Sequence, residues 1–212
     1  IIQSQQSSGK HHLSGPMKPA ELGVNLFSDE GWDPFLEDPA SLWLLHWQLF
    51  VPPSIATAWP LITNLSHLTS FTSSDLGKVL QEARSKFPVL RRYSNSSVLK
   101  DISCFIRMYS SSEKKISDEI ECPFTHLGLV YADTDKDTYY FNVGSKANLP
   151  DEILLAICLD YAHQTQPNQR TISLSRLAYG FNAPGIAFKL TETDIGNRLE
   201  NITSGLNEIS LV

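Results

Sequence analysis

The chain has 212 residues, enough for one large domain or two small ones, and its 42% hydrophobic content is ordinary for a globular protein. Its formal net charge is −6 at pH 7, which gives no overall preference for a polyanionic partner. No apolar run approaches the roughly eighteen residues that cross a bilayer, so the sequence predicts no membrane span.

Residues 1–18 are polar and low in complexity, which predicts a flexible tail or loop. No basic and then apolar leader is visible at the first residue, Ile1. The three cysteines are widely spaced and form no CxxC pair, so neither a disulfide framework nor a zinc site is indicated. Together these features predict a cytoplasmic protein.

The stretch DPFLEDPASLWLLHW, residues 33–47, places carboxylates directly before an apolar helix. Asp33 and Glu37 are candidate ligands for Mg²⁺ or Mn²⁺, because nucleases hold such ions with two or three carboxylates. His46 could then act as the base, which gives the candidate catalytic set Asp33, Glu37 and His46.

The alternative for the same stretch is structural, and the residues favour it. Asp38 is placed to cap the helix, Pro39 suits its first position, and acids near a helix N-terminus are stabilised by its dipole. Trp43 and Trp47 lie on a helix that is apolar on nearly every side, which predicts a buried helix.

Basic residues are concentrated in the middle of the chain. Residues 72–115 hold nine Lys or Arg and four acids, and the rest holds eight basic and nineteen acidic residues. A basic block of net charge +5 inside an acidic protein predicts a localised anion-binding face.

The same block reads as two helices followed by a hairpin. Thr72 and Asp75 form a capping box before one amphipathic helix, and Ser94 or Ser96 starts the next. HLGLVYA and TYYFNV then read as strands around the turn DTDKD. This order is typical of a winged helix-turn-helix, and residues 19–146 are predicted to form a helical segment followed by that unit.

Residues 147–212 are predicted to form a second small helical unit that could also be winged-helix-like. A short helix capped by Thr171, a strand at GIAFKL and a last helix opened by Thr191 and Asp194 make up this layout. The predicted fold class is therefore α+β and mostly helical, with tandem winged-helix-like units and a β-hairpin wing.

In a helix-turn-helix the second helix enters the major groove while flanking cations contact phosphates. The alternative is a solvated helix face in a packed helical unit. The predicted DNA-binding residues lie on this helix, before it and at the start of the wing: Arg91, Arg92, Ser97, Lys100, Arg107, Lys114 and Lys115.

Three phrases carry a family resemblance: ELGVNLFSDEGWDPFLEDPASLWLLHWQL, TAWPLITNLSHLTSFTSSDL and SNSSVLKDISCFIRMY. They resemble a bacterial domain of unknown function found in DNA phosphorothioation islands, and within it the nicking components of single-strand phosphorothioation (Ssp) defence systems. The resemblance implies a protein that nicks one strand of double-stranded DNA in a metal-dependent way, so that sulfur can be incorporated.

The resemblance also implies partner proteins: a cysteine desulfurase, an ATP-dependent sulfur-transfer enzyme and an ATPase. No catalytic motif of the family is carried over to this chain, so the enzyme assignment stays open. The alternative is a non-catalytic winged-helix DNA-binding adaptor or regulator that recruits the modification enzymes. A homodimer also stays open, because winged-helix proteins that read a duplex are often two-fold dimers.

Overall fold

The computed structural model describes residues 2–4, 17–51, 58–65, 70–87, 94–110, 122–133 and 136–204. Within these ranges helices predominate over short strands. The helices are α1 (Glu21–Phe27), α2 (Pro39–Trp47), α3 (Ala58–Leu65), α4 (Ser73–Lys86), α5 (Asn95–Tyr109), α6 (Asp151–Thr165), α7 (Leu174–Tyr179), α8 (Pro184–Phe188) and α9 (Glu192–Thr203). The strands are β1 (Ile2–Ser4), β2 (Met17–Pro19), β3 (Ser70–Phe71), β4 (Val130–Asp133) and β5 (Thr138–Phe141), with a 3₁₀ helix at Pro123–Leu127.

Helix α2 is apolar on nearly every side and lies within the core. The Asp38 side chain accepts a hydrogen bond from the Ala40 N–H at 2.8 Å, and Pro39 occupies the first turn, where no N–H is needed. Trp43 and Trp47 are both buried. The predicted buried helix and its cap are confirmed.

A three-stranded antiparallel sheet has the order β3-β5-β4. Val130 of β4 pairs with Phe141 of β5, and Phe71 of β3 pairs with Tyr139 of β5. Phe71 and Phe141 pack their rings 4.7 Å apart on the buried side of this sheet. The predicted hairpin is confirmed, and β3 adds a strand that comes before α4 in sequence.

The segment that precedes the hairpin differs from the expectation. His126 was expected at the start of a strand, but it lies in the 3₁₀ helix, and β4 begins only at Val130. Pro123 suits the first turn of that helix, and Gly128 ends it with a φ of 61°, which glycine adopts without steric cost.

The strand predicted at GIAFKL is wrong, because residues 184–188 form helix α8. Pro184 pre-sets the first helical turn, and Lys189 ends the helix in the left-handed conformation, with a φ of 55°. Gly185 packs so closely on α7 that a Cβ there would lie 2.4 Å from the carbonyl oxygen of Ala178. Close helix packing therefore outweighs the strand-like pattern.

Two helix starts in the second half of the chain were predicted at a threonine. Helix α7 is capped by Ser173, which accepts from the Arg176 N–H, and not by Thr171. Helix α9 begins at the predicted capping box of Thr191 and Asp194. All regular elements in residues 147–204 are helices, so this region contains no sheet that could form a second wing.

The ends of the expected tail form two short strands. Strand β1 pairs antiparallel with β2, and Ile2 lies opposite Pro19. The flexible tail expected over residues 1–18 stays a prediction, because residues 5–16 lie outside the described ranges.

The predicted α+β, mostly helical fold class is confirmed. One hydrophobic cluster extends from α2 to α9 and includes side chains on both sides of residue 146. The winged-helix assignment and the boundary at residue 146 stay predictions. No helix within the described ranges is long and apolar enough to cross a bilayer.

Candidate nucleic-acid interface

Helices α4 and α5 each begin at a side-chain cap and bury one stripe of apolar residues. The Asp75 N–H donates to Thr72 Oγ1 at 3.2 Å, and the Thr72 N–H donates to Asp75 Oδ2 at 3.0 Å, which completes the predicted capping box. Helix α5 starts at Ser94, whose hydroxyl accepts from the Ser97 N–H at 3.1 Å. The buried stripe of α5 consists of Val98, Ile102, Phe105, Ile106 and Tyr109.

The opposite side of α5 is exposed and carries two of the predicted DNA-binding residues. Lys100 and Arg107 are both exposed, and a separation of seven residues places them on the same side of an α-helix. Arg107 Nη2 lies 3.8 Å from Cys104 Sγ on the same side. Within the described part of the chain, neither cation forms an ion pair.

A groove of about 260 Å³ runs between α4 and α5. Lys78 Nζ lies 3.2 Å from Asp75 Oδ1, but the Lys78 side chain is 71% exposed, and an exposed pair of this kind restrains the lysine only weakly. Hydrogen bonds from Thr72 and then from Lys78 hold the pKa of Asp75 below its ordinary value. The groove is lined by Ser74, Gly77, Lys78, Gln81, Arg84, Asn95, Val98 and Leu99.

Lys78, Arg84, Lys100 and Arg107 are named the basic face from here on. The structure brings the first two together in the groove and places the other two on the exposed side of α5. Ser97 is half-buried beside the Ser94 cap. Four further predicted DNA-binding residues lie outside the described residues: Arg91, Arg92, Lys114 and Lys115.

Sequence reasoning assigned no DNA contact to Lys78 and Arg84, although both belong to the basic block. Their position in the groove depends on how α4 packs against α5, which the sequence does not state. The available signal was helical spacing: Ser74, Gly77, Lys78 and Gln81 lie within two turns, on the flank of α4 away from its buried stripe.

The carboxylate of Asp33 accepts hydrogen bonds from backbone amides of the loop that precedes α2. Asp33 Oδ1 accepts from the Glu37 N–H at 2.9 Å, and Oδ2 accepts from the Asp38 N–H at 3.0 Å. Burial alone would raise the pKa of Asp33, but hydrogen bonds from the Ser41 hydroxyl and from the amides of Glu37, Asp38 and Leu36 lower it.

The predicted Mg²⁺ or Mn²⁺ ligands, Asp33 and Glu37, do not fit a metal site in this arrangement. Both oxygens of Asp33 are held by backbone amides, whereas Glu37 is exposed. Among the described residues, no three His, Cys, Asp or Glu side chains are grouped so that they could hold an ion. A site built on these two carboxylates therefore has no support from the geometry.

His46 lies inside the core and both of its ring nitrogens are occupied. Nδ1 lies 2.7 Å from the Tyr109 hydroxyl, and Nε2 lies 2.9 Å from the Ala187 carbonyl oxygen. A carbonyl oxygen only accepts, so Nε2 carries the proton and the Tyr109 hydroxyl donates to Nδ1. Burial lowers the pKa of His46 to about 4. This placement gives no support to the predicted role of His46 as a catalytic base.

Comparison with solved structures gives two close matches. One, "SspB crystal structure", is 35% identical, with a TM-score of 0.84, and the match covers 96% of this chain and 62% of that one. The other, "Magnesium ion-bound SspB crystal structure", is 32% identical, with a TM-score of 0.87, and covers 100% of this chain and 63% of that one. The chain thus spans somewhat under two thirds of the length of both.

The resemblance expected from the sequence is confirmed by these structures. No curated protein matches the chain significantly. A family model described as "Protein of unknown function (DUF4007)" matches residues 2–212, and the chain therefore belongs to that family.

Proposed function

We propose that this chain binds double-stranded DNA through the basic face and acts in a DNA phosphorothioation system. The observation that carries the proposal is the exposed pair Lys100 and Arg107 on α5, the helix that also lines one side of the groove that holds Lys78. Exposed cations on neighbouring helices bind a phosphate backbone by releasing its condensed counterions.

The order of the elements supports a winged-helix mode of binding. Helix α3, strand β3, helices α4 and α5, and the β4–β5 hairpin follow one another, and the sheet order is β3-β5-β4. In a winged helix-turn-helix the second helix of the pair lies in the major groove, and in this proposal α5 is that helix. Its exposed cations and its N-terminal serines are then on the side that would meet the DNA.

The phosphorothioation context is supported by the likeness to two SspB structures together with the resemblance stated above. In that context the chain would work with a cysteine desulfurase, an ATP-dependent sulfur-transfer enzyme and an ATPase. An adaptor that only recruits these enzymes would use the basic face in the same way.

Binding to DNA is tested by its dependence on salt. Three exposed cations, Lys78, Lys100 and Arg107, predict a slope of about −2.7 in a plot of log K against log salt concentration. The affinity for a 30-base-pair duplex should therefore fall about 40-fold between 50 and 200 mM salt, measured by fluorescence anisotropy. An affinity that does not change with salt, or no binding at 50 mM, would contradict the proposal.

Metal-dependent nicking is a second candidate function, and one observation favours it: a similar structure is described as magnesium ion-bound. A divalent ion in such a site would stabilise the leaving oxygen and orient the attacking water. Asp33 and Glu37 do not fit that role in the geometry described above. The chain's own contribution to a nick would be to hold the duplex on the basic face.

Nicking is tested with supercoiled plasmid in Mg²⁺ or Mn²⁺. We expect open-circular product from the wild type and at least tenfold less from the K100A/R107A variant, because the duplex is held less tightly. The variant E37Q should match the wild type if the carboxylate is not a ligand. If no open-circular product forms with either metal, the chain binds DNA without nicking it, as the adaptor alternative predicts.

A further inference from the structure

Trp32 and Phe35 are the most exposed large apolar side chains in the described part of the chain, at 69% and 84%. Both lie in the loop of residues 28–38, called the aromatic loop from here on. Exposed aromatic residues close together are a feature of protein-binding surfaces, since burying them yields much of the binding energy.

The backbone of the aromatic loop is fixed against the end of α1. The Trp32 N–H donates to the Asn25 carbonyl at 2.7 Å, and the Asp33 N–H donates to the Leu26 carbonyl at 3.1 Å. Gly31 comes so close to α1 that a Cβ would lie 2.6 Å from the Leu26 carbonyl oxygen. The position therefore accepts only glycine unless the backbone shifts.

The second half of the loop is held from inside by Asp33. Its carboxylate accepts the Glu37 and Asp38 amides, and its carbonyl accepts the Leu36 N–H at 3.3 Å, which closes a turn around Phe35. Residues three apart along any chain have Cα atoms within about 11 Å of each other, so Trp32 and Phe35 are near neighbours. A loop held in this way presents its aromatic side chains without a large ordering cost on binding.

Helix α1 extends the apolar surface beside the loop. Val24 and Phe27 are three residues apart, so they lie on one side of the helix, and both are exposed. Since Trp32 is bonded to Asn25 of the same helix, these side chains belong to the same corner of the molecule.

The charged side chains of the segment that carries this surface are acidic, and the exposed Lys18 lies just before α1. The sequence holds no Lys or Arg between residues 19 and 77. The exposed carboxylates near the aromatic side chains are those of Glu21, Asp29, Glu30, Glu37 and Asp38. Such a surface repels nucleic acid and attracts cations, and an arginine can also lie over the face of an exposed aromatic ring.

We propose that the aromatic loop and the exposed side of α1 form a docking surface for a basic protein, which inserts apolar and Arg or Lys side chains around Trp32 and Phe35. The proposal rests on the proposed function, because it takes the partner from the enzymes of the same phosphorothioation system. DNA would then bind the basic face and the protein partner would bind the acidic corner, so the chain brings the two together.

The test measures binding of the purified protein to each of the three partner enzymes by biolayer interferometry. We expect W32A/F35A to lower the affinity for one of them at least 100-fold. The matched control V143A/Y179A changes two other exposed apolar residues and should leave that affinity within twofold. E30Q/E37Q should lower the association rate and weaken its salt dependence. Each glutamine keeps the size and hydrogen-bonding capacity of the glutamate but carries no charge.

The proposal would be overturned if the wild type bound none of the three enzymes, or if W32A/F35A bound them with wild-type affinity. It would also be overturned if W32A/F35A lost affinity for the DNA duplex, or if these substitutions converted a dimer of the chain to a monomer. The last two would assign the loop to nucleic acid or to a second copy of the chain. Equal melting temperatures of wild type and W32A/F35A exclude misfolding. If the wild type did not bind DNA, the proposed function would be wrong, but the measured affinity for the partner enzymes would still test the docking surface.

Discussion

The variant K100E/R107E is expected to bind a DNA duplex more than about 100-fold more weakly than the wild type. Each reversal removes one attraction to a phosphate and adds one repulsion, and a tenfold loss at each site corresponds to about 1.4 kcal/mol. Both side chains are exposed on the side of α5 opposite its buried stripe, so the fold should tolerate the change. Anisotropy titrations at constant salt measure the effect.

A matched control separates the position of the charge from its amount. The variant K18E/R170E makes the same change in net charge at two exposed residues outside α4 and α5. We expect its affinity to fall less than about threefold, since exposed charges more than a Debye length from the DNA, about 10 Å at 0.1 M salt, are largely screened. Equal losses in the two variants would mean that only net charge matters and that the basic face is not the contact.

The parts of the fold that the sequence predicts well are those fixed by local chemistry. The capping boxes at Thr72 and Thr191 and the cap at Asp38 are all found at the residues where the sequence predicts them. Each depends on residues within a few positions of one another, so no knowledge of distant contacts is needed. The exposed cations of α5 follow in the same way from helical spacing.

The parts that the sequence does not predict depend on contacts between distant residues. Ile186 and Phe188 alternate as in a strand, but Gly185 against Ala178 selects the helix α8. The groove with Lys78 and Arg84 exists only because α4 and α5 pack side by side.

The acidic stretch before α2 contains one feature that the sequence predicts and one that it does not. Its capping role was predictable, because Asp38 and Pro39 are adjacent to the helix they start. The inward use of Asp33 was not, since it requires a turn in which Leu36 takes a φ of 57°. Both Asp33 oxygens accept backbone amides of the loop, whereas Trp32 and Phe35 of the same loop are exposed.

Acidification is expected to destabilise the protein through His46. The folded state holds this imidazole neutral: burial lowers its pKa from 6.5 to about 4, and the hydrogen bond to the Ala187 carbonyl offsets only part of that shift. Between these two values the unfolded chain binds a proton that the folded chain does not, so the stability present above pH 6.5 is lost as the pH falls towards 4. A shift of this size corresponds to roughly 3 kcal/mol of unfolding free energy at pH 4.

Other carboxylates also titrate in this range, so the quantity to measure is the difference between wild type and H46Q. Urea denaturation at pH 7, 5.5 and 4 should show H46Q less stable than wild type at pH 7, because glutamine cannot reproduce both the Tyr109 and the Ala187 hydrogen bonds. The loss on acidification should be smaller in H46Q by roughly 3 kcal/mol. The exposed residue His163 provides the control, and H163Q should keep the wild-type pH dependence. If H46Q loses as much stability as wild type between pH 7 and pH 4, then the imidazole is not held neutral in the core, and a proton on His46 would again be available for chemistry.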